Sequence, residues 1–423
     1  LSDLLPAGAG GKQVDFVASG TLASGQTVAL KTNGQVEAIT ELAGAGTPSV
    51  FENAISYDIS ATYDSTNGKI VIAYRDGGNS YYGTAVVGTV SGTTISFGTP
   101  VVFNNSAGGQ ISATYDSTNG KVAIAYRDSL NSNYGTAIVG TVSGTSISFG
   151  TPAVFNSARS DGMSATYDST NGKVVINYED YGNSNYGTSA VGTVSGTTIS
   201  FGTPVVFESA QARQISATYD STNGKIVIAY QDGGNSNYGT AVVGTVSGTS
   251  ISFGTAVVFN NSSSDSISAA YDSANGKVII AYSDFGNSNY GTSIVGTVSG
   301  TSISFGTAVV FESVQSGDMS ATYASANGEV VIAYYDTGNS NYGTVVVGTV
   351  SGTSISFGTP VVFESAGSFN ISATYDSTND KVVIAYRDGG NSNYGTGVVF
   401  SLSNSADFVG ITDAAISDTA SGS

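Results

Sequence analysis

This chain of 423 residues has no cysteine, no histidine and no tryptophan. Without cysteine it can build neither a disulfide framework nor a thiolate zinc site, and without histidine it lacks the commonest general base and metal ligand. Charge is also scarce: 10% of residues are charged, thirteen basic against thirty-one acidic, for a net of -18. Ser, Thr, Asn, Gly and Tyr must therefore make up the surface. The few basic residues form no run that could neutralise several phosphates, so nucleic acid is not an expected partner. No apolar run approaches the ~20 residues that cross a bilayer, so no membrane insertion is expected. The start LSDLLPAGAG lacks the basic and apolar regions of a signal peptide.

What the chain has is repetition. The Tyr of ISATYDSTNGK recurs at Tyr63, Tyr115, Tyr167, Tyr219, Tyr271, Tyr323 and Tyr375, a period of 52 residues without insertion or deletion. Such a unit is too long for one rung of a solenoid. In the second copy four short runs are legible: QISATYD to Asp116, KVAIAYRD from Lys121, YGTAIVGTV from Tyr134 and SISFGTPAVF from Ser146. Each is β-branched and aromatic and is bounded by Asn, Gly, Asp or Ser, which predicts strands. The second run is apolar at nearly every position, as a strand covered on both faces must be. Seven four-stranded sheets stacked around an axis make an all-β, seven-bladed β-propeller.

The ends of the chain fit this reading. The seventh copy, from Ile371, lacks the ISFGTPVVF that closes the others, whereas residues 46–51 read GTPSVF, like GTPVVF one period later. The N-terminal segment is therefore expected to supply the outer strand of the last blade, which closes the ring and removes exposed edges. Ala43, Gly44 and Ala45 replace the Ile-Ser-Phe half, and ADFVGIT from Ala406 competes for that place. The first flank alternates apolar and polar residues around Asn33 and Gly34, a hairpin signal. Residues 46–402 are thus expected to form the propeller, with 1–45 and 403–423 as the two parts of a small β-domain.

A second motif, Asp-x-x-Asn-Ser-x-Tyr-Gly-Thr, also recurs seven times, first as RDGGNSYYGT from Arg75. It resembles the Asp-box of sialidase-type propellers, with Asp76, Gly78 and Ser80 matching and tyrosine replacing the leading Ser/Thr and closing Trp. In that family the box is a structural turn. Asp76, Asp128, Asp180, Asp232, Asp284, Asp336 and Asp388 are accordingly expected to accept amides of their own turns, with Asn tolerating left-handed backbone. The alternative is a Ca²⁺ loop, but each copy offers one carboxylate where calcium gathers several, so neither cofactor nor metal is expected. The hairpin sequence DSTNGK varies freely, with Ala324 and Glu329 in copy six and Asp380 in copy seven, unlike a catalytic element. Copy three carries Asn177, Glu179 and Asp180 in VVINYEDYG, the best place to seek acid–base chemistry. Adjacent strand residues point to opposite faces, so these substitutions read as drift and an enzyme is not expected.

The repeat YDSTNGKVVIAYRDGGNSNYGTAVVGTVSGTSISFGTPVVF is similar to propeller repeats of tailed-bacteriophage fibre and appendage proteins. The flanks SGTLASGQTVALKTNGQVEA and DFVGITDAAISDTASG resemble the halves of small β-barrel modules in virion proteins, including decorating ones. The resemblance implies a non-enzymatic virion surface protein, located on a virion or extracellularly. Its expected partners are other virion subunits or further copies of itself, and a host glycan or protein. The alternative is a self-assembling subunit of a prokaryotic filament or surface layer. Differences among the copies locate the expected binding face. The DSTNG and SGT connections are nearly uniform, whereas the second connection and the blade links vary. Loops on a rigid scaffold are where recognition resides. The variable face carries Tyr57, Arg75, Arg127, Arg159, Glu179, Arg213, Gln231, Tyr335, Phe369 and Arg387 as candidate binding residues.

Overall fold

A computed structural model of the chain describes residues 16–18, 21–22, 27–30, 35–38, 43–402, 408–411 and 421–422. The chain divides into two compact units, Ala45–Phe400 and Leu1–Gly44 with Ser401–Ser423.

The first unit is a seven-bladed β-propeller of four-stranded antiparallel blades. The second strand of each blade is central: in blade 1, Lys69–Asp76 pairs with the inner strand through Ser60↔Ala73 and with Tyr82–Ser91 through Ala73↔Ala85. Its continuous apolar run is explained by stacking on both sides. Val71 and Ala73 pack with Phe103 of their own outer strand and with Ile124 and Tyr126 of the next blade, whereas Ile70, Ile72 and Tyr74 pack with Phe51, Val383 and Ala385 of the preceding one. Each such Ile or Val contributes roughly 1.5–3 kcal/mol by leaving water.

Long strands join the blades. Ala153–Asp168 begins as the outer strand of blade 2, with Ala137↔Ala153, and ends as the inner strand of blade 3, with Ser164↔Asn177. Around the axis, Ser60 Oγ accepts a hydrogen bond from Ala113 N at 3.0 Å. The equivalent bond repeats between all seven inner strands, ending with Ala61 N donating to Ser372 Oγ at 2.9 Å. The recurrent Gly-Thr-Pro glycine marks a place where blades meet through backbone. A Cβ on Gly202 would stand 2.0 Å from the carbonyl oxygen of Thr249, so no other residue fits.

The ring closes with strands from both ends of the propeller. Tyr394–Ser401 pairs with Ser49–Asp64 through Gly397↔Ser49, Thr396↔Val50 and Gly395↔Glu52. Gly46 N donates to Val399 O at 2.8 Å, as Gly98 N does to Val87 O at 2.9 Å inside blade 1. Phe51 then packs on Tyr74 and Phe97 with ring centroids 5.0 and 5.6 Å apart, the arrangement Phe207 makes with Tyr230 and Phe253. Gly44–Ala45 stands where other blades have Ile-Ser-Phe.

The competing segment does not take that place. Phe408–Ile411 pairs instead with Thr27–Leu30 in a five-stranded sheet that continues through Gln35–Ala38 and Phe16–Ala18 to Ser421–Gly422. The two flanks thus build one small β-unit. Thr27–Leu30 and Gln35–Ala38 pair antiparallel, as a hairpin requires, and the turn at Asn33 and Gly34 lies outside the described residues.

Candidate functional site at the channel mouth

Each inner strand enters its blade through a bulge. In blade 1 the register shifts between Tyr57 and Ser60, and Asp58 takes a left-handed φ of 49°. A bulge re-aims side chains, and here it does so seven times. Asp58, Gln110, Gly162, Gln214, Ser266, Asp318 and Asn370 share this conformation and together line a cavity of about 580 Å³ on the axis. Its wall is completed by Ile59, Met163 and their equivalents. Neighbouring ring positions are linked: Gly162 N donates to Gln110 Oε1 at 2.7 Å and Asn370 N to Asp318 Oδ2 at 2.8 Å. Burial pushes the carboxyls of Asp58 and Asp318 above the usual range, and the guanidinium of Arg75 beside the first and of Arg387 beside the second only oppose this.

The variable face surrounds this mouth. Residues at the Tyr57 position pair directly with those at the Arg75 position, as Arg213 does with Gln231 and Phe369 with Arg387. All five arginines of the chain, Arg75, Arg127, Arg159, Arg213 and Arg387, fall in these positions or in the links beside them. Six of the eight lysines instead follow the hairpins of the opposite face, from Lys69 to Lys381.

Half of the mouth is an alternating stack. The Arg75 guanidinium lies 4.8 Å from the centroid of Tyr57 and 5.1 Å from that of Tyr81. Arg387 lies 5.1 Å from Tyr57 and 5.0 Å from Phe369, and Tyr335 meets Phe369 at 5.9 Å. The ring thereby gathers Tyr335, Phe369, Arg387, Tyr57 and Arg75, which sequence comparison had singled out separately. The other half is internally paired. Arg159 grips Asp161 through Nε at 3.0 Å and a terminal nitrogen at 2.6 Å and lies 4.3 Å from the Tyr181 centroid, and Arg127 bonds the same carboxylate. Gln231 Nε2 donates to Ser264 O at 2.9 Å, and Arg213 is exposed.

Glu179 departs from the expected surface role. It is 5% exposed, accepts from Gln211 Nε2 at 2.6 Å, and is pushed above the usual carboxylate range by burial. Its neighbour Asp180 accepts from Gly182 N at 3.0 Å and from Asn156 Nδ2 at 2.9 Å, so these two carboxylates serve different networks.

The seven motif aspartates each accept an amide of their own turn. Asp76 Oδ1 accepts from Gly78 N at 2.8 Å and Asn79 N at 3.2 Å, and Asp128, Asp180, Asp232, Asp284, Asp336 and Asp388 bind the amide two residues on. The left-handed residues are not the first Asn but the Ser and its successor, such as Ser80 at 55° and Tyr81 at 61°. Among the described residues no three acidic side chains come together as a metal site.

Sequence comparison missed Tyr81, Tyr181, Asp161 and the ring of left-handed residues. Signals existed for two of them. Tyr81 stands alone where the six other copies carry Asn, and the position before the recurrent Ile or Met reads Asp, Gln, Gly, Gln, Ser, Asp, Asn around the ring.

No protein-family model and no curated relative matches the chain. Solved structures do resemble it. The BP39L lectin from Burkholderia pseudomallei superposes at a TM-score of 0.61 with 10% identity, over 85% of this chain and 100% of that one. A protein of unknown function from Dyadobacter fermentans DSM 18053 superposes at 0.51 with 14% identity, over 91% and 100%. At these identities the likeness establishes the propeller fold.

Proposed function

We propose that this chain is a non-enzymatic, glycan-binding propeller that works without metal or cofactor and is displayed on a virion or another extracellular surface. The observation that carries the reading is the asymmetry of the two faces. On one, the hairpins are near copies; on the other lie every arginine of the chain and the exposed Tyr81, Leu130, Tyr181 and Phe285. Aromatic residues and arginine are the types enriched at contacts, and they are placed here on strand ends and on the short turns that a rigid scaffold holds. The lectin among its structural neighbours supports glycan rather than protein as ligand, and the similarity of the repeat to phage appendage repeats supports the virion setting.

The test is a glycan array probed with the purified chain, alongside a variant with Arg159, Arg213, Tyr335 and Phe369 changed to Ser. The expected result is glycan capture by the wild type and its loss in the variant, with an unchanged β circular-dichroism spectrum. Capture at wild-type strength by the variant would refute the face assignment. Copurification of the native protein with capsids supports the virion setting, whereas capsid-free regular polymers support the filament alternative.

A further inference from the structure

The two halves of the mouth differ in what their arginines have left to bind. Arg159 spends its donors on Asp161. In the adjacent blades 7 and 1, the Nε–H groups of Arg387 and Arg75 are shielded from water and have no acceptor; Arg127 in blade 2 shares that orphaned Nε–H but is already held by Asp161 through a terminal nitrogen. The nearest acid to Arg75, Asp58, stands 3.8 Å from its Nε, too far for a hydrogen bond. A guanidinium that rests its face on an aromatic ring keeps its N–H donors in its own plane, where they match a carboxylate. Two of these guanidiniums flank one ring, Tyr57. Like charges placed so close are eased by an anion between them. Beside them Tyr81 is 42% exposed although its backbone is left-handed. Strained residues of this kind concentrate at functional sites.

We propose that the stack of Phe369, Arg387, Tyr57, Arg75 and Tyr81 is a single acidic-sugar site per chain, in which Arg387 and Arg75 hold the carboxylate of a uronic or similar acidic residue. The exposed ring of Tyr81 takes the apolar C–H face of the sugar, and Asp58 is the internal anion with which the ligand competes. This rests on the glycan-binding reading and narrows it to one ligand class and one stoichiometry. None of the other six blades repeats the stack, since the positions of Tyr57 and Arg75 are held elsewhere by Gly109 with Arg127, Asp161 with Glu179, Arg213 with Gln231, Asp265 with Ser283 and Gly317 with Tyr335, and blade 7 supplies half of the stack itself.

The probes are trigalacturonate and its methyl ester, titrated into the whole chain by calorimetry. We expect one site per chain, binding of the acid but not of the ester, and weakening with salt. Arg387→Gln and Arg75→Gln should each weaken binding by about tenfold or more, because charge-assisted bonds are the strong ones. Arg387→Lys, which keeps the charge and loses the planar fork, should rescue only part. Asp58→Asn should strengthen binding several-fold. Its backbone is safe, since Asn370 occupies the equivalent left-handed position in blade 7. Lys225→Gln, on the opposite face, should change nothing. Equal binding of acid and ester, several sites per chain, or indifference to all three mouth variants would overturn the proposal while leaving glycan binding intact. A wild-type chain that captures no glycan on the array would remove both readings together.

Discussion

At the scale of single residues, Tyr81 shows how this repeat trades local fitness for surface chemistry. The other six copies place Asn at this left-handed position, as in Asn133 at 63° and Asn237 at 61°. Asn tolerates the conformation, whereas a bulky side chain meets the following carbonyl, a strain on the order of 1–2 kcal/mol. The contact of Tyr81 with Arg75 returns about 0.5–1 kcal/mol at an exposed site. The strain is the larger quantity. Tyr81→Asn is therefore expected to raise the unfolding free energy by roughly 0.5–1 kcal/mol in a denaturant titration, while glycan capture declines. A loss of stability would show that the tyrosine is held for packing.

At the scale of elements, the ring depends on the last blade being completed by Ser49–Asp64. The closing interface repeats the internal ones in its backbone bonds and its aromatic pairs. Phe51 is buried like Phe207, and each lies about 5 Å from the tyrosine of the next blade. Removing a buried phenylalanine costs about 3–5 kcal/mol. Phe51→Ala and Phe207→Ala are expected to lower stability to the same extent in thermal melts. A much smaller effect at Phe51 would mean that the closing interface opens independently of the rest. The long strands shared by two blades work in the same direction, because a strand such as Ala153–Asp168 cannot leave one sheet without disturbing the other.

At the scale of the whole molecule, the stacked blades bury carboxyls that a charged surface would leave in water. Burial pushes Glu52, Glu208, Glu312 and Glu364 above their ordinary 4.5, although the hydroxyls of Tyr74, Tyr230, Tyr334 and Tyr386 donate to them. Burial pushes Asp58 and Asp318 above 3.8 in the same way. In this range the folded chain keeps protons that the unfolded chain has released. Stability is then greatest below these ordinary values and falls as pH rises through the raised ones. The melting temperature is therefore expected to rise as pH is lowered from neutral toward about 5, helped by relief of the -18 net charge. At the alkaline end Tyr323 and Tyr375, pushed up to about 12 by burial, shift stability in the same sense. Their contribution is lost as pH climbs from 10 toward 12. Melting curves that fall steadily on acidification from neutrality would contradict this reading.

What the sequence alone determined is the part written in local patterns. A 52-residue period, an apolar second strand and turn residues at fixed offsets all agree with one another, so blade number, strand order and the structural role of the motif aspartates were legible in advance. That the variable positions share one face was legible as well, because alternate connections of a meander emerge on opposite sides and the copies differ on one of them. The burial of Glu179 was not legible, because variation marks a position without telling whether its side chain meets water or a partner such as Gln211. The tertiary structure decided which candidates meet. Arg387 and Tyr57 lie near opposite ends of the chain and touch because ring closure sets blade 7 beside blade 1. The cavity that Asp58 and its six left-handed equivalents line likewise takes one residue from each of seven inner strands, so no single repeat contains it.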